Sequence, residues 1–506
     1  VAGCLLGILI IFNIGRFGPI EIRTLRLPTI IIYIALGIYF VSFGKAGIGK
    51  LKDIFNAVVG HRYFFRISSG AMLILYLISA IDQHLSFNTF SHDFSLFDDI
   101  LYNTAHGRFM VSSVLGYNFL GEHFSPILSL LAPLHYIFPS PYLLIVLQPL
   151  ALWSSVFFLQ RILRDEGLST EVTNIACLIY LNNPVMISTL NYLFHMESFL
   201  PLILLGMFQA YRSKSNARYW IFFILALMVK EDVGFYMFGF SIYVMIADRR
   251  YMTGLPGAML SLLWVLFVLK VGIPYFGGEA QYKYFARWGS WGGGPLGIAL
   301  GFIGHPLKFI GKLMADPYLK LFGGLLFLPF FGRWIWIMLG IPWIITATGI
   351  TQQAHLSLYY GMPLFAFTVI AAALGLKTNG FRKVMSRRYA PALVALVIVV
   401  NVAHLRYLAI PSNRDKILNT LAAIPSDAAV QTMSCFYPEM GYERAKSVIW
   451  PDDKPTADYI VFSTDFKPWP LSKSDVANLE VLCSSSGRYD DISRVNGLFV
   501  FKKRTQ

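Results

Sequence analysis

Charge is scarce in this sequence. Of its 506 residues only 14% are Asp, Glu, Lys or Arg, while 56% are hydrophobic and the mean hydropathy is +0.57. Soluble domains carry roughly 25% charged residues. A chain this poor in charge cannot cover a water-facing surface, so lipid has to be its solvent. Cysteine is scarce too. There are four, with no CxxC and no His/Cys spacing suited to zinc, which excludes a thioredoxin-type or zinc-ribbon reading. Cys4 and Cys177 sit in apolar runs as packing residues. Cys435 and Cys483 lie in the polar tail, where export would permit a disulfide between them. Solenoid-type repeats and low-complexity tracts are missing. No cleavable signal peptide is read at the start, where Val1 opens inside an apolar run. The run Gly292-Gly293-Gly294-Pro295 lacks the GK[ST] ending of a nucleotide P-loop.

What the sequence does have is long apolar blocks and Lys/Arg-rich turns. The blocks fall at 1–12, 28–43, 67–81, 123–138, 140–160, 173–194, 198–211, 217–229, 233–247, 254–272, 318–331, 334–350, 356–376 and 390–405. Most are near the roughly 20 residues that span a bilayer as helix, predicting a polytopic all-α bundle of about 12–14 transmembrane helices. The formal net charge of +14 is concentrated in the short turns, a mark of membrane topology, and no nucleic-acid partner is expected. Five turns are basic: Lys45, Lys50, Lys52, Arg62 and Arg66; Arg161 and Arg164; Arg212, Lys214 and Arg218; Arg249 and Arg250; and Lys377, Arg382, Lys383, Arg387 and Arg388. Placed in the cytoplasm, they put 194–197, 230–232, the long loop 273–317, the turn 352–355 and everything after Leu405 outside.

Two places strain this alternation. Between the outer loop 82–122 and the Arg161 turn lie two apolar blocks where parity wants one crossing. Either 123–160 is partly re-entrant, broken at Pro139-Ser140-Pro141, or the Arg161 turn is outside; the first is favoured. The turn with Arg16, Arg23 and Arg26 also falls outside. The chain therefore divides into accessory helices at 1–66, a membrane domain at 67–405 and an extracytoplasmic tail at 406–506. The tail reads as a small α/β domain, with strands expected at 428–433, 459–463, 480–483 and 497–502, and helices at 414–424 and 437–445.

Ionisable groups at membrane segments are costly and mark function by default, and here they collect on the outer side. The first loop carries Ser91-His92-Asp93-Phe94-Ser95-Leu96-Phe97-Asp98-Asp99, with Phe94, Phe97 and Leu101 at helical spacing, so an interfacial helix is expected with Asp93 in its first turn. Acids beside a helix N-terminus also have a plain account in the helix dipole. Glu122-His123 opens one apolar block; His195 and Glu197 lie between two others; Lys230-Glu231-Asp232 sits between two apolar runs with almost no loop. Each alone fits a solvated turn. Together they point to a polar cavity opening outward. Arg287, among Tyr282, Tyr284, Trp288 and Trp291, is suited to a phosphate. His355 follows Gln352-Gln353 near Tyr359 and Tyr360 at another outer helix end.

In order and spacing these motifs resemble a prokaryotic family of predicted membrane proteins of unknown function. Its members in turn resemble the GT-C class of polyprenyl-phosphate-sugar glycosyltransferases. The resemblance runs from about residue 82 to the C-terminus. It is carried by Asp93 to Asn103 with His106-Gly107, by the His-Phe-Ser-Pro of 123–126, the Phe-Pro-Ser-Pro of 138–141, the Phe-His-x-Glu of 194–197, Lys230-Glu231-Asp232, and the segment from His355 to Pro363. Asp99 stands where the family pattern has Gln. The resemblance implies Asp93 as the general base toward an acceptor, with Asp98 as the alternative. It implies Lys230 and Arg287 as cations for the lipid phosphate, and His123, His195, Glu197, Glu231, Asp232 and His355 as substrate-pocket residues. The implied partners are a polyprenyl-phosphate-sugar donor, an acceptor of unspecified kind and membrane lipid, in a bacterial or archaeal cell membrane. Outer acids of this type bind Mg²⁺, Mn²⁺ or Ca²⁺, and the need for such a cation stays open. The rival reading is a transporter or flippase with an outward-facing polar cavity.

Overall fold

A computed structural model describes residues 57–504, apart from 90–91, 278–282, 326, 333, 377–404, 406–407, 409, 468 and 496. The helices expected at 1–12, 28–43 and 390–405, the basic turns at 16–26, 45–52 and 377–388, and Tyr282 lie outside the described residues.

The described part opens with α1 (Phe64–Leu85) and continues into α2 (His92–Ala105). Two 3₁₀ turns, Phe119–Gly121 and Pro126–Leu131, lead to α3 (Ala132–Ile137) and then α4 (Tyr142–Asp165). The end of α1 and the start of α4 meet, with the Tyr142 ring edge-on to His84 at 4.8 Å. Everything between them therefore stays at one end of the bundle. The apolar block at 123–138 is a six-residue 3₁₀ segment and a six-residue helix, and it does not cross. One crossing, α4, carries the chain to Arg161, so parity holds and the Arg161 turn stays with the other basic turns.

The next crossing is made in two pieces, α5 (Thr170–Leu181) and α6 (Pro184–Leu190). Asn182-Asn183-Pro184 explains the break. Pro184 has no N–H to continue α5, while the Asn183 side chain accepts from Val185 N at 3.0 Å and caps α6. Then come α7 (Leu200–Arg212), α8 (Asn216–Leu227) and α9 (Val233–Ala247). A 27-residue helical stretch, Tyr251–Gly277, follows. It comprises α10 (Tyr251–Phe267), a π-turn at Val268–Gly272 and α11 (Ile273–Gly277). By length and apolar content α1, α4 and this stretch can each cross a membrane alone. Most of the others are shorter than the expected blocks, though α9 matches its block at 233–247. A 12-residue helix such as α8 rises ~18 Å, so it covers the roughly 30 Å hydrocarbon layer only with its flanking turns.

The region expected as one long loop, 273–317, is largely helical. It holds the end of the 27-residue stretch, a 3₁₀ turn at Lys283–Trp288, and α12 (Gly294–Gly304) joined to α13 (Pro306–Leu313) at a 95° bend. Then α14 (Asp316–Gly324), α15 (Ile335–Thr348), the short α16 (Thr351–Ala354) and α17 (Met362–Gly375) follow, the last described helices before the tail. Glycine allows one approach that positions the site. A Cβ on Gly121 would fall 2.4 Å from Gly277 Cα, so the segment bearing Glu122 and His123 lies directly on the end of α11.

The tail is a separate α/β layer: α18 (Arg414–Ala422), β1 (Val430–Thr432), β2 (Lys446–Val448), β3 (Tyr459–Ser463), α19 (Lys473–Ser485), β4 (Tyr489–Val495) and β5 (Leu498–Lys503). The sheet order is β2-β1-β3-β5-β4, parallel on the first side and antiparallel on the second. The strand expected at 480–483 is instead part of α19. Ser472 and Asp475 form a capping box that starts a helix and carries it through those residues. The helix expected at 437–445 is only a 3₁₀ turn, Tyr437–Glu439. Cys435 and Cys483 are buried free thiols, not a disulfide.

The tail docks on the membrane part through several contacts, among them one inserted side chain. Phe87, 1% exposed, belongs to the tail's core, edge-on to Phe436 and Phe466 at 5.4 and 5.1 Å. Arg414 Nε donates to Leu85 O at 3.0 Å, and Ser95 Oγ to Ser434 O at 3.4 Å.

Candidate functional site

Helix α2 presents acids on two faces. Five residues at about 100° each put Asp93 and Asp98 roughly 140° apart around its axis, and the two meet different partners. Tyr192, just after α6, donates its hydroxyl to Asp93 Oδ2 at 2.7 Å. His195 Nε2 lies 3.7 Å from the same oxygen. Among the described residues nothing bonds Asp93 Oδ1. Asp93 also has solvent access: 24% of its side-chain surface is exposed, against 4% for Glu197 and 2% for Glu231.

Below Asp93 runs a chain of buried groups. The other ring nitrogen of His195, Nδ1, bonds Glu197 Oε2, and Lys230 Nζ donates to Glu197 Oε1 at 2.6 Å. The local backbone makes this order. His195 is extended, and residues 196–199 turn in a 3₁₀ helix, so the two side chains converge. Gln148 on α4 accepts from His195 N at 2.9 Å and anchors the strand-like segment from the far side. Tyr359 stacks on the imidazole with centroids 3.3 Å apart, and Phe97 closes it edge-on at 5.1 Å. Burial pushes the Glu197 carboxyl up, but His195 and the Lys230 ammonium more than offset this and hold it well below the usual carboxylate range. The Lys230 charge is thus matched by Glu197 inside the protein and is not displayed to solvent.

A second group adjoins it. His123 Nδ1 lies 2.8 Å from Glu231 Oε1, and Phe124 N donates to Glu231 Oε2 at 3.1 Å. Asp232 accepts from Tyr236 OH at 2.7 Å, one turn further into α9. Tyr284 stacks on His123 at 4.4 Å and donates to Glu122, which Lys283 also reaches at 2.5 Å. Burial raises the Glu122 carboxyl, but Lys283, Tyr117 and Tyr284 outweigh it and leave it lowered. The Arg287 guanidinium lies over Tyr284 at 4.3 Å and is 5.6 Å from the Tyr360 ring. That places it above the same cluster, half-buried at its rim.

Asp98 and Asp99 face the tail. Asp98 Oδ1 meets His135 Nε2 at 3.3 Å and accepts from Tyr442 OH at 3.1 Å. Asp99 accepts from Ser113 N at 2.6 Å and from Asn103 at 3.3 Å, with Tyr437 OH at 3.5 Å. Burial raises the Asp99 carboxyl, and the bonds from Ser113 oppose that. Lys446 on β2 is buried between the Tyr437 and Tyr442 rings and donates to Met440 O at 2.9 Å.

Of the expected site residues, the structure brings Asp93, His195, Glu197 and Lys230 into one contact chain. His123, Glu231 and Arg287 lie beside it around Tyr284. Asp232 is alongside, and Asp98 is turned to the tail. His355 is exposed at the end of α16, with no side-chain hydrogen bond among the described residues. Tyr192, Tyr359 and Gln148 hold the site together. Of these, sequence reasoning singled out only Tyr359. Among the described residues no group of three or more His, Cys, Asp or Glu is arranged to hold a metal ion.

Residues 83–500 match the family described as predicted membrane protein (DUF2079). The chain belongs to that family. No curated protein matches its sequence. Among solved structures, the chain is similar to ArnT from Cupriavidus metallidurans, solved bound to undecaprenyl phosphate. The TM-score is 0.50 at 12% identity, over 86% of this chain and 97% of that one. At that identity the likeness is one of fold: this DUF2079 protein is a membrane protein with a GT-C-like helical part and a small C-terminal sheet.

Proposed function

We propose that this protein is a glycosyltransferase that takes a sugar from a polyprenyl-phosphate carrier and transfers it to an acceptor on the outer side of a prokaryotic cell membrane, with Asp93 as general base. The observation that carries this reading is the asymmetry of Asp93. One carboxylate oxygen is held by Tyr192 and faces His195, while the other is unbonded among the described residues and the group is open to solvent. A general base needs this arrangement: a fixed orientation and an oxygen left to accept a proton. In the step, the acceptor hydroxyl gives its proton to Asp93 as its oxygen attacks the anomeric carbon. The bond from that carbon to the phosphate oxygen breaks, and the lipid phosphate leaves with the electron pair.

The departing phosphate gathers charge, and Arg287, held over Tyr284 at the rim, is the cation suited to it. Lys230 has a different part: it neutralises Glu197, which fixes the His195 ring beneath Asp93. The ArnT-like fold supports a lipid-phosphate donor, since that relative was solved with undecaprenyl phosphate. The outward orientation is supported by the basic residues at the opposite helix ends.

Asp93→Asn tests the assignment. The variant is expected to insert and fold normally and to lose about 10²–10⁴-fold in transfer from a panel of polyprenyl-phosphate sugars. Full transfer by the variant would refute the base role. Absence of transfer by the wild type from every donor would favour the transporter.

A further inference from the structure

The end of the bundle remote from Asp93 has a site of its own. Helix α4 runs 24 residues from the tail side, so its last turns lie ~30 Å from Asp93's end of the bundle. There, between α4, α7 and the start of α8, a cavity of about 480 Å³ is lined by Phe157, Phe158, Arg161, Gln209, Ser213 and Arg218.

Its lining has three parts. Phe157 and Phe158 supply an apolar wall, Phe157 being 41% exposed on the flank of the bundle. Arg161 and Arg218 supply guanidinium groups at the helix ends. Arg161 pairs with Asp165 at 3.1 Å, but its side chain is 68% exposed, and a pair that open to water holds weakly. Among the described residues Arg218 is tied only through Nε, which donates to Ser215 Oγ at 2.9 Å. Gln209 supplies the third part. It is 7% exposed, yet among the described residues nothing bonds its side-chain amide. The amide reaches the cavity surface and is open to a partner there.

We infer that this cavity is a binding site for an anionic phospholipid. Its phosphate would sit between Arg161 and Arg218, its headgroup hydroxyls would bond Gln209, and its acyl chains would run down the Phe157 side. A soluble anion would use the two arginines but not the aromatic wall, which opens along the membrane flank. A zwitterionic lipid brings its own cation toward the arginines. The surrounding charge agrees with this choice: Arg161, Arg164, Arg212, Lys214 and Arg218 face Asp165, Glu166 and Glu171, an excess of basic groups around the opening. Basic pockets between transmembrane helices bind such headgroups.

The test compares the full-length protein in nanodiscs of phosphatidylcholine alone with nanodiscs containing phosphatidylglycerol. Thermal stability and the lipids retained on extraction, read by native mass spectrometry, are the two measurements. Wild type is expected to retain phosphatidylglycerol selectively and to melt higher with it. Arg161→Gln and Arg218→Gln are each expected to lower that selectivity about fivefold, and Gln209→Leu to lower it further without changing the retained phosphatidylcholine. Equal retention of the two lipids, or selectivity unchanged in the Arg161/Arg218 double variant, would overturn the site. Equal stabilisation by inorganic phosphate in phosphatidylcholine nanodiscs would overturn the lipid as its occupant. None of these residues touches the Asp93 cluster, so the result stands apart from the transferase reading.

Discussion

Asp93 keeps 24% of its side-chain surface exposed, while Asp98, five residues along the same helix, keeps 3%. Asp93 has an oxygen unbonded among the described residues. Asp98 is closed in by His135 and Tyr442, and its neighbour Asp99 by Ser113, Asn103 and Tyr437. The two halves of α2 thus use the same residue type for opposite ends. One half leaves a carboxylate open to solvent. The other turns carboxylates into fastenings between the membrane part and the tail.

The sharpest way to break this comparison is to neutralise each half in turn. Asp93→Asn should abolish transfer with little change in melting temperature. Asp98→Asn should lower the melting temperature while leaving measurable transfer, and the reverse pattern would exchange the roles of the two acids. Next in size is Lys230→Met, which strands the buried Glu197 without its cation. Breaking such a pair costs about 3–5 kcal/mol, to be read as a lower unfolding midpoint in detergent. A smaller loss is expected for Tyr442→Phe, which removes one hydrogen bond to a buried carboxylate, about 1.5–3 kcal/mol. Limited proteolysis of the tail is its readout, and an unchanged cleavage rate would mean the fastening lies elsewhere.

A further effect of similar size is one of pH. Burial lowers the Lys446 pKa to about 8, with Asp98 and Asp99 pulling it the other way. The unfolded chain keeps that lysine protonated to about pH 10.4. Between these values the unfolded state binds more protons, so stability rises with pH across that window and the strain of a buried ammonium is present below it. Wild type should therefore gain on Lys446→Met from pH 8 to 10, as measured by the gap between their melting temperatures. A gap that does not move with pH would show the ammonium is not strained.

Much of this arrangement was legible in the sequence because charge is so rare in it. His123, His195, Glu197, Lys230, Glu231 and Asp93 stand out at the ends of apolar blocks, and most of them do meet. Tyr192 did not stand out, since a tyrosine at a membrane-helix end is ordinary and only its partner gives it a role. Which of Asp93 and Asp98 faces the cluster was in principle readable from the helical repeat, but not what each face meets. The contacts of Tyr437 and Tyr442 span 338 and 344 residues, and no local pattern announces a pair so far apart. In the membrane part, hydropathy alone overcounted crossings at 123–138. A 3₁₀ segment and short helix there are as apolar as a span without being one.

The tail that closes over Asp98 and Asp99 is also the last of these parts to leave the ribosome. Helix α2 is made before the tail, and its two inner acids have to wait more than three hundred residues for Tyr437 and Tyr442. Domains fold in the order they are made. The helix that carries Asp93 is therefore locked in place only once the tail has been made, so a chain cut short before its tail would hold every residue of the contact chain below Asp93 yet lack the contacts that steady the helix above it.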